Sequence, residues 1–178
     1  MTSKRVLLSA SALLVLLAGG LAIAQLGTQG DNDGTGTNAT SPTPIPPTES
    51  PSPASAKEQV REAYLRYWDV FPAAFRKLSA DDLNDVTTGK ALRVLGQQIQ
   101  DLREKGLFVR VRVQHRITQI RLADATTALV VDRLTNHSVT IDRATGKPTE
   151  KDPNEVTVEA YTLKMEDGIW KVSAISRR

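Results

Sequence analysis

The chain has 178 residues, of which 40% are apolar, 24% charged and 4% aromatic, with 23 basic against 20 acidic side chains. That length allows one domain with extensions, and so mild a basic excess does not mark a nucleic-acid binder. The absence of cysteine excludes disulfides, thiolate metal sites, thiol nucleophiles and lipid attachment through sulfur, and two histidines leave little for a metal centre.

Lys4 and Arg5 precede an uncharged, mostly apolar run of 21 residues, Val6 to Leu26. At about 1.5 Å per residue a helix over this run spans a bilayer. The flanking positive charges keep residues 1–5 in the cytoplasm and send the rest outside. The same stretch also fits a cleaved signal peptide, with the breaker pair Gly19–Gly20 and the small-residue site Ala22-Ile23-Ala24. Both readings, a single-pass anchor or secretion after cleavage near Ala24, export the remainder of the chain.

Residues 27–54 form the second section. Twenty of the thirty residues from Gly27 to Ala56 are Gly, Pro, Ser or Thr, and six of the nine prolines fall between Pro42 and Pro53. Such a segment buries too little apolar surface to offset the entropy of ordering, so it reads as a disordered, partly polyproline-like linker.

Residues 55–178 form the domain. Ser55 and Glu58 are spaced as a capping box, and Val60, Tyr64, Tyr67, Trp68, Phe71 and Phe75 follow at helical spacings of three and four. Pro72 inside this pattern predicts a kink or break near Phe71. A short capped turn is expected over Ser79–Asn84. A second helix then starts near Thr88, carries Leu92, Leu95, Ile99 and Leu102 on one face, and stops at Gly106.

Beyond Gly106 the period changes to two. Leu107 to Ile117 reads as one long half-buried strand with Arg110, Arg112 and Arg116 on its outer face. Thr126 to about Asp142 reads as a second strand, made central by the run Ala128-Leu129-Val130-Val131. After a polar loop to Asn154, Val156–Met165 and Ile169–Ser176 form a hairpin about Asp167-Gly168.

The order and lengths of these elements resemble the nuclear transport factor 2-like, or cystatin-like, fold. The resemblance rests on Ala63-Tyr64-Leu65-Arg66-Tyr67-Trp68-Asp69, Thr88-Gly89-Lys90-Ala91-Leu92, Ala128-Leu129-Val130-Val131-Asp132 and Asp167-Gly168-Ile169-Trp170-Lys171-Val172. It covers residues 54–178 and is strongest to exported or membrane-anchored bacterial proteins. It implies an α+β cone, with the N-terminal helices packed on a curved antiparallel sheet of about four strands. The fold serves isomerases and dehydratases as well as non-catalytic partner-binding domains, so it does not fix a function.

No phosphate loop, nucleophile elbow, zinc-protease or transpeptidase motif is present, and no catalytic residue, metal or cofactor is assigned. Two groups of side chains merit structural testing. Tyr64, Trp68, Asp69, His115 and Asp132 are candidates for a pocket in the cone, where a small apolar ligand or a proton-transfer reaction would be housed. Arg110, Arg112 and Arg116 are candidates for a surface that meets an anionic partner. The sequence therefore predicts a non-catalytic binding or assembly domain at the bacterial envelope, anchored through residues 6–26. Its partner is a second copy or another envelope protein, and no nucleic acid is involved. A carrier of a small apolar ligand is the alternative, and a pocket acid–base enzyme the third reading.

Overall fold

A computed structural model describes residues 52–178. The expected anchor or signal segment at residues 6–26 and the linker up to residue 51 lie outside the described residues. Among the described residues, no helix is long and apolar enough to cross a membrane.

Helix α1 spans Pro53–Lys77. Its cap is Ser52, whose hydroxyl accepts from the Ser55 amide at 3.3 Å, so the expected box at Ser55 and Glu58 is displaced by one turn. A proline at the start of a helix explains the shift, because its fixed φ suits the first turn and its missing N–H would be unpaired there anyway. Arg76 and Lys77 occupy the last turn, where positive charge complements the helix dipole. Helix α1 runs through Pro72 without the expected break. An interior proline costs about 3 kcal/mol. Burying Phe71, Ala74, Phe75 and Leu78 on either side of it offsets that loss, since a large apolar side chain contributes about 1.5–3 kcal/mol.

The turn after α1 is a 3₁₀ helix over Asp81–Asp85, with the Ser79 hydroxyl accepting from the Asp81 amide at 3.2 Å. Helix α2 spans Gly89–Glu104 and buries Leu95, Ile99 and Leu102. Gly106, at φ +67°, supplies the left-handed turn that ends it. The Arg103 guanidinium in its last turn donates to the Leu78 carbonyl and so ties the C-terminal ends of the two helices together.

Six strands come after the helices: β1 (Leu107–Arg110), β2 (Val113–Leu122), β3 (Thr127–Asn136), β4 (Val139–Asp142), β5 (Glu155–Glu166) and β6 (Ile169–Arg177). They make a four-stranded antiparallel sheet in the order β2-β3-β5-β6 and a two-stranded ribbon of β1 and β4. Both strands expected to be long are therefore interrupted, one at Val111–Arg112 and the other at His137–Ser138. The two interruptions meet: the Arg112 amide donates to the Ser138 hydroxyl at 3.0 Å, and the His137 amide donates to the Arg112 carbonyl at 2.8 Å. At this corner the paired chains leave one sheet and enter the other. Alternation of apolar residues continues across it, which is why periodicity alone shows no break.

The helices pack on one face of the four-stranded sheet. Val130 and Leu134 of β3, Tyr161 and Leu163 of β5, and Val172 and Ile175 of β6 join the α1 aromatics in a single core. The β5–β6 hairpin turns at Asp167 (φ +52°) and Gly168 (φ +77°), both left-handed as a tight hairpin requires. A side chain at Gly168 would meet no neighbour within 4 Å, so only backbone strain opposes one. Gly168→Ala is accordingly expected to lower stability by about 1 kcal/mol without changing the fold. Urea denaturation with far-ultraviolet circular dichroism checks this, and an unchanged midpoint would contradict it.

Candidate functional site

The polar centre of the cone is Asp132, on the inner face of β3 between Val130 and Leu134. Its carboxyl has no solvent exposure and draws donors from two other elements. The Tyr64 hydroxyl on α1 donates to Oδ2 at 2.5 Å, His115 Nδ1 on β2 lies 2.9 Å from the same oxygen, and the Arg116 amide donates to Oδ1 at 2.7 Å. A carboxylate only accepts, so this contact makes Nδ1 the protonated nitrogen of His115. The imidazole also lies against Trp68, with ring centroids 4.3 Å apart, and edge-on to Tyr64 at 6.3 Å. Its side chain keeps 25% of its exposure. Burial, followed by the bond and the charge of Asp132, pushes the Tyr64 hydroxyl far above the usual phenol range, so it remains a donor.

Four of the five residues expected in a pocket thus stand together: Tyr64, Trp68, His115 and Asp132. Asp69 does not join them. One position beyond Trp68 on the helix, it is rotated off the apolar stripe and is exposed.

A second buried acid completes the cluster. Glu159 on β5 is directly opposite Asp132 in the strand register and is 1% exposed. Its Oε2 accepts from the Tyr161 hydroxyl at 2.5 Å, while Oε1 has no hydrogen-bond partner among the described residues. Burial raises the Glu159 carboxyl above its ordinary range; the Tyr161 bond and Arg177 pull it down, and the nearby Asp132 pushes it up. Burial and Glu159 likewise raise the hydroxyls of Tyr67 and Tyr161. The sequence reading misses Glu159 and Tyr161, although a signal was present. In Thr157-Val158-Glu159-Ala160-Tyr161-Thr162-Leu163 both share the parity of Leu163, a core residue.

The apolar part of the cone is almost filled. Tyr67, Trp68, Phe71, Phe75 and Tyr161 surround a remaining space of about 30 Å³, room for roughly two waters. The aromatic stripe is therefore core packing. The described residues contain no group of three or more His, Asp or Glu placed to hold a metal ion.

The arginine stripe does not form as expected. Arg110 ends β1, Arg112 sits at the corner and Arg116 lies within β2, so the three do not share one strand face. The change of sheet at Val111–Arg112 is the physical reason.

The family model described as "ARC6-like, IMS domain" matches residues 73–173, more than half of the chain. The chain belongs to this ARC6-like intermembrane-space domain family. Its cone is of the nuclear transport factor 2-like, cystatin-like kind. Among solved structures, the intermembrane space region of chloroplast protein ARC6 is similar with a TM-score of 0.58 at 16% identity, over 68% of this chain and 95% of that one. A ketosteroid isomerase-like protein from Erwinia carotovora atroseptica SCRI1043 is similar at 0.44 and 16% identity, over 67% and 94%. A nuclear transport factor 2-like protein from Shewanella oneidensis MR-1 is similar at 0.41 and 11% identity, over 66% and 97%. A comparison with curated proteins found no match.

Glu159 makes stability depend on pH in a definite sense. With its carboxyl raised in the folded state, stability is fullest below the ordinary glutamate range. It falls as pH climbs through the raised value, because the folded chain must then bury a charge. Glu159→Gln keeps an acceptor for Tyr161 and removes that charge. The variant is expected to match the parent near about pH 4 and to exceed its melting temperature near about pH 8. Equal melting temperatures at both values would show that Glu159 is not the group responsible.

Proposed function

We propose that this protein is a non-catalytic binding or assembly domain outside the cytoplasm, at the bacterial cell envelope. Residues 6–26 hold it there as a single-pass anchor with the N-terminus inside, or release it after cleavage near Ala24. Its partner is another envelope protein or a second copy of the chain. The observation that carries this reading is the filled cone. A fold that elsewhere encloses a reaction chamber here spends its interior on packed aromatics and a bonded acid cluster, leaving about 30 Å³. Membership of the ARC6-like family supports an envelope setting, since the structurally similar relative is described as an intermembrane space region.

One observation favours the acid–base reading. His115 is oriented by Asp132 as a general base is oriented in many enzymes, and its Nε2 has no partner among the described residues. Substitution separates the two. His115→Ala is expected to leave the cellular phenotype and partner recovery of the folded protein intact. Complete loss of function with an unchanged circular dichroism spectrum would overturn the non-catalytic reading.

Native mass spectrometry of the full-length protein, gently extracted from its own host, tests the binding reading directly. The expected result is the mass of a complex with an envelope protein or a second copy. A monomer carrying a few hundred daltons of bound small molecule would replace this reading with the carrier.

A further inference from the structure

The face of the four-stranded sheet turned away from the helices has a charge pattern that emerges only from the strand register. Gln114 pairs with Thr135, which pairs with Val156. One step along, Arg116 pairs with Arg133, which pairs with Val158. Further along the same face, Gln119, Val131 and Ala160 form a row, followed by Arg121, Leu129 and Thr162, and then by Lys164 opposite Lys171. The acids in the middle of these strands, Asp132 and Glu159, have the opposite parity and point into the core. From Gln114–Thr135–Val156 to the Lys164–Lys171 pair, these rows hold no carboxylate.

Like charges directly opposite on neighbouring strands repel. Arg116 and Arg133 are both exposed, and neither they nor Arg121 and Lys164 take part in an ion pair among the described residues. Beside them Val156 and Val158 are exposed by 50% and 37%. Val131 and Ala160, also on this face, are nearly buried by their neighbours yet stand outside the core cluster. A shallow hollow runs between Gln114, Arg116, Arg133, Thr135 and Val156.

We infer that this face, centred on Arg116 and Arg133, binds an extended acidic segment of a partner protein, one that alternates Asp or Glu with small apolar residues. The inference rests on the binding reading above and names its surface and the chemistry of its partner. Two guanidiniums side by side present forked donors that match carboxylates in pairs. The adjacent valines take the apolar positions of a strand-like ligand, whose side chains alternate in the same period as the sheet. A second copy docked with Arg116 and Arg133 at the centre of the contact would set cation against cation there, the one acid of these β5 positions, Glu166, lying beyond Lys164 at the far end of the face. An anionic bilayer would be met by short valines where a membrane surface favours long or aromatic anchors.

The test uses the full-length protein in detergent and a fluorescent twelve-residue peptide alternating Glu and Val, with binding read by anisotropy. The parent is expected to bind, and Arg116→Ser with Arg133→Ser to weaken binding by about tenfold or more. Lys57→Ser with Arg61→Ser removes the same charge from exposed positions on α1 and is expected to change binding by no more than about twofold. Arg116→Glu with Arg133→Glu is expected to switch preference to a Lys–Val peptide, which shows that a weakened variant is still folded. No binding by the parent, or equal losses in the two serine pairs, would overturn the inference. So would stronger binding to phosphatidylglycerol vesicles than to the peptide, or a dimer that masks this face. If the Ser pair still recovers the envelope partner from the host, this surface is the wrong one while the binding reading stands. If the parent recovers none, the binding reading itself fails.

Discussion

A carboxyl group sealed from water must be met by donors, and much of this molecule is arranged around meeting one. Asp132 takes a hydroxyl from α1, an imidazole from β2 and a backbone amide from the residue after that histidine. Removing any donor leaves part of a buried carboxyl unpaired, a loss of about 1–3 kcal/mol and more where charge is involved. The three bonds therefore select one depth for α1 and one register for β2 at the same time. Apolar packing already opposes a slip of one residue, which would turn the core face outward, and these bonds add discrimination against a slip of two, which keeps the faces.

The aromatic helix supplies that packing. Five of the eight aromatic residues lie between Tyr64 and Phe75, and their rings meet one another and Tyr161 at centroid distances of 4.5–6.3 Å. These rings are the contribution of α1 to the core, packed with Leu83, Leu95, Ile99, Leu134 and Leu163. A cone whose helix carried smaller residues would keep an open interior. Here the rings leave a space of about 30 Å³ beside them.

Most of the architecture was legible in the sequence because each element carries a clean period: 3.6 residues through the α1 aromatics and two through β5 and β6. The inward turn of His115 was legible from its parity, but that of Asp132 was not, because the run Ala128-Leu129-Val130-Val131 before it is apolar on both faces of the strand. Nor was the corner. Val109, Val111 and Val113 keep alternating where the chain changes sheets, so the periodicity holds no trace of the new partner. The helix start was misplaced because two serines compete as caps and the proline beside Ser52 decides between them. The Arg116–Arg133 opposition lay equally out of reach, because it depends on which residue of β3 faces which residue of β2. Composition and spacing do not contain that relation.

The shared corner also governs where the chain can change length. Because Arg112 and Ser138 hold the two turning points against each other, an extra residue at either one would invert the faces of a strand on one side of it while its partner stayed in place. Insertions and deletions in both long antiparallel segments are thus coupled, and a change in one is silent only if the other compensates. The segment from Arg143 to Asn154, which joins β4 to β5 and carries no strand of its own, is free to change length between its ties, the Thr149 amide to the Thr140 carbonyl and Asp152 to His137. Variation in length among relatives should collect there, leaving the distance from the corner to Asp132 constant.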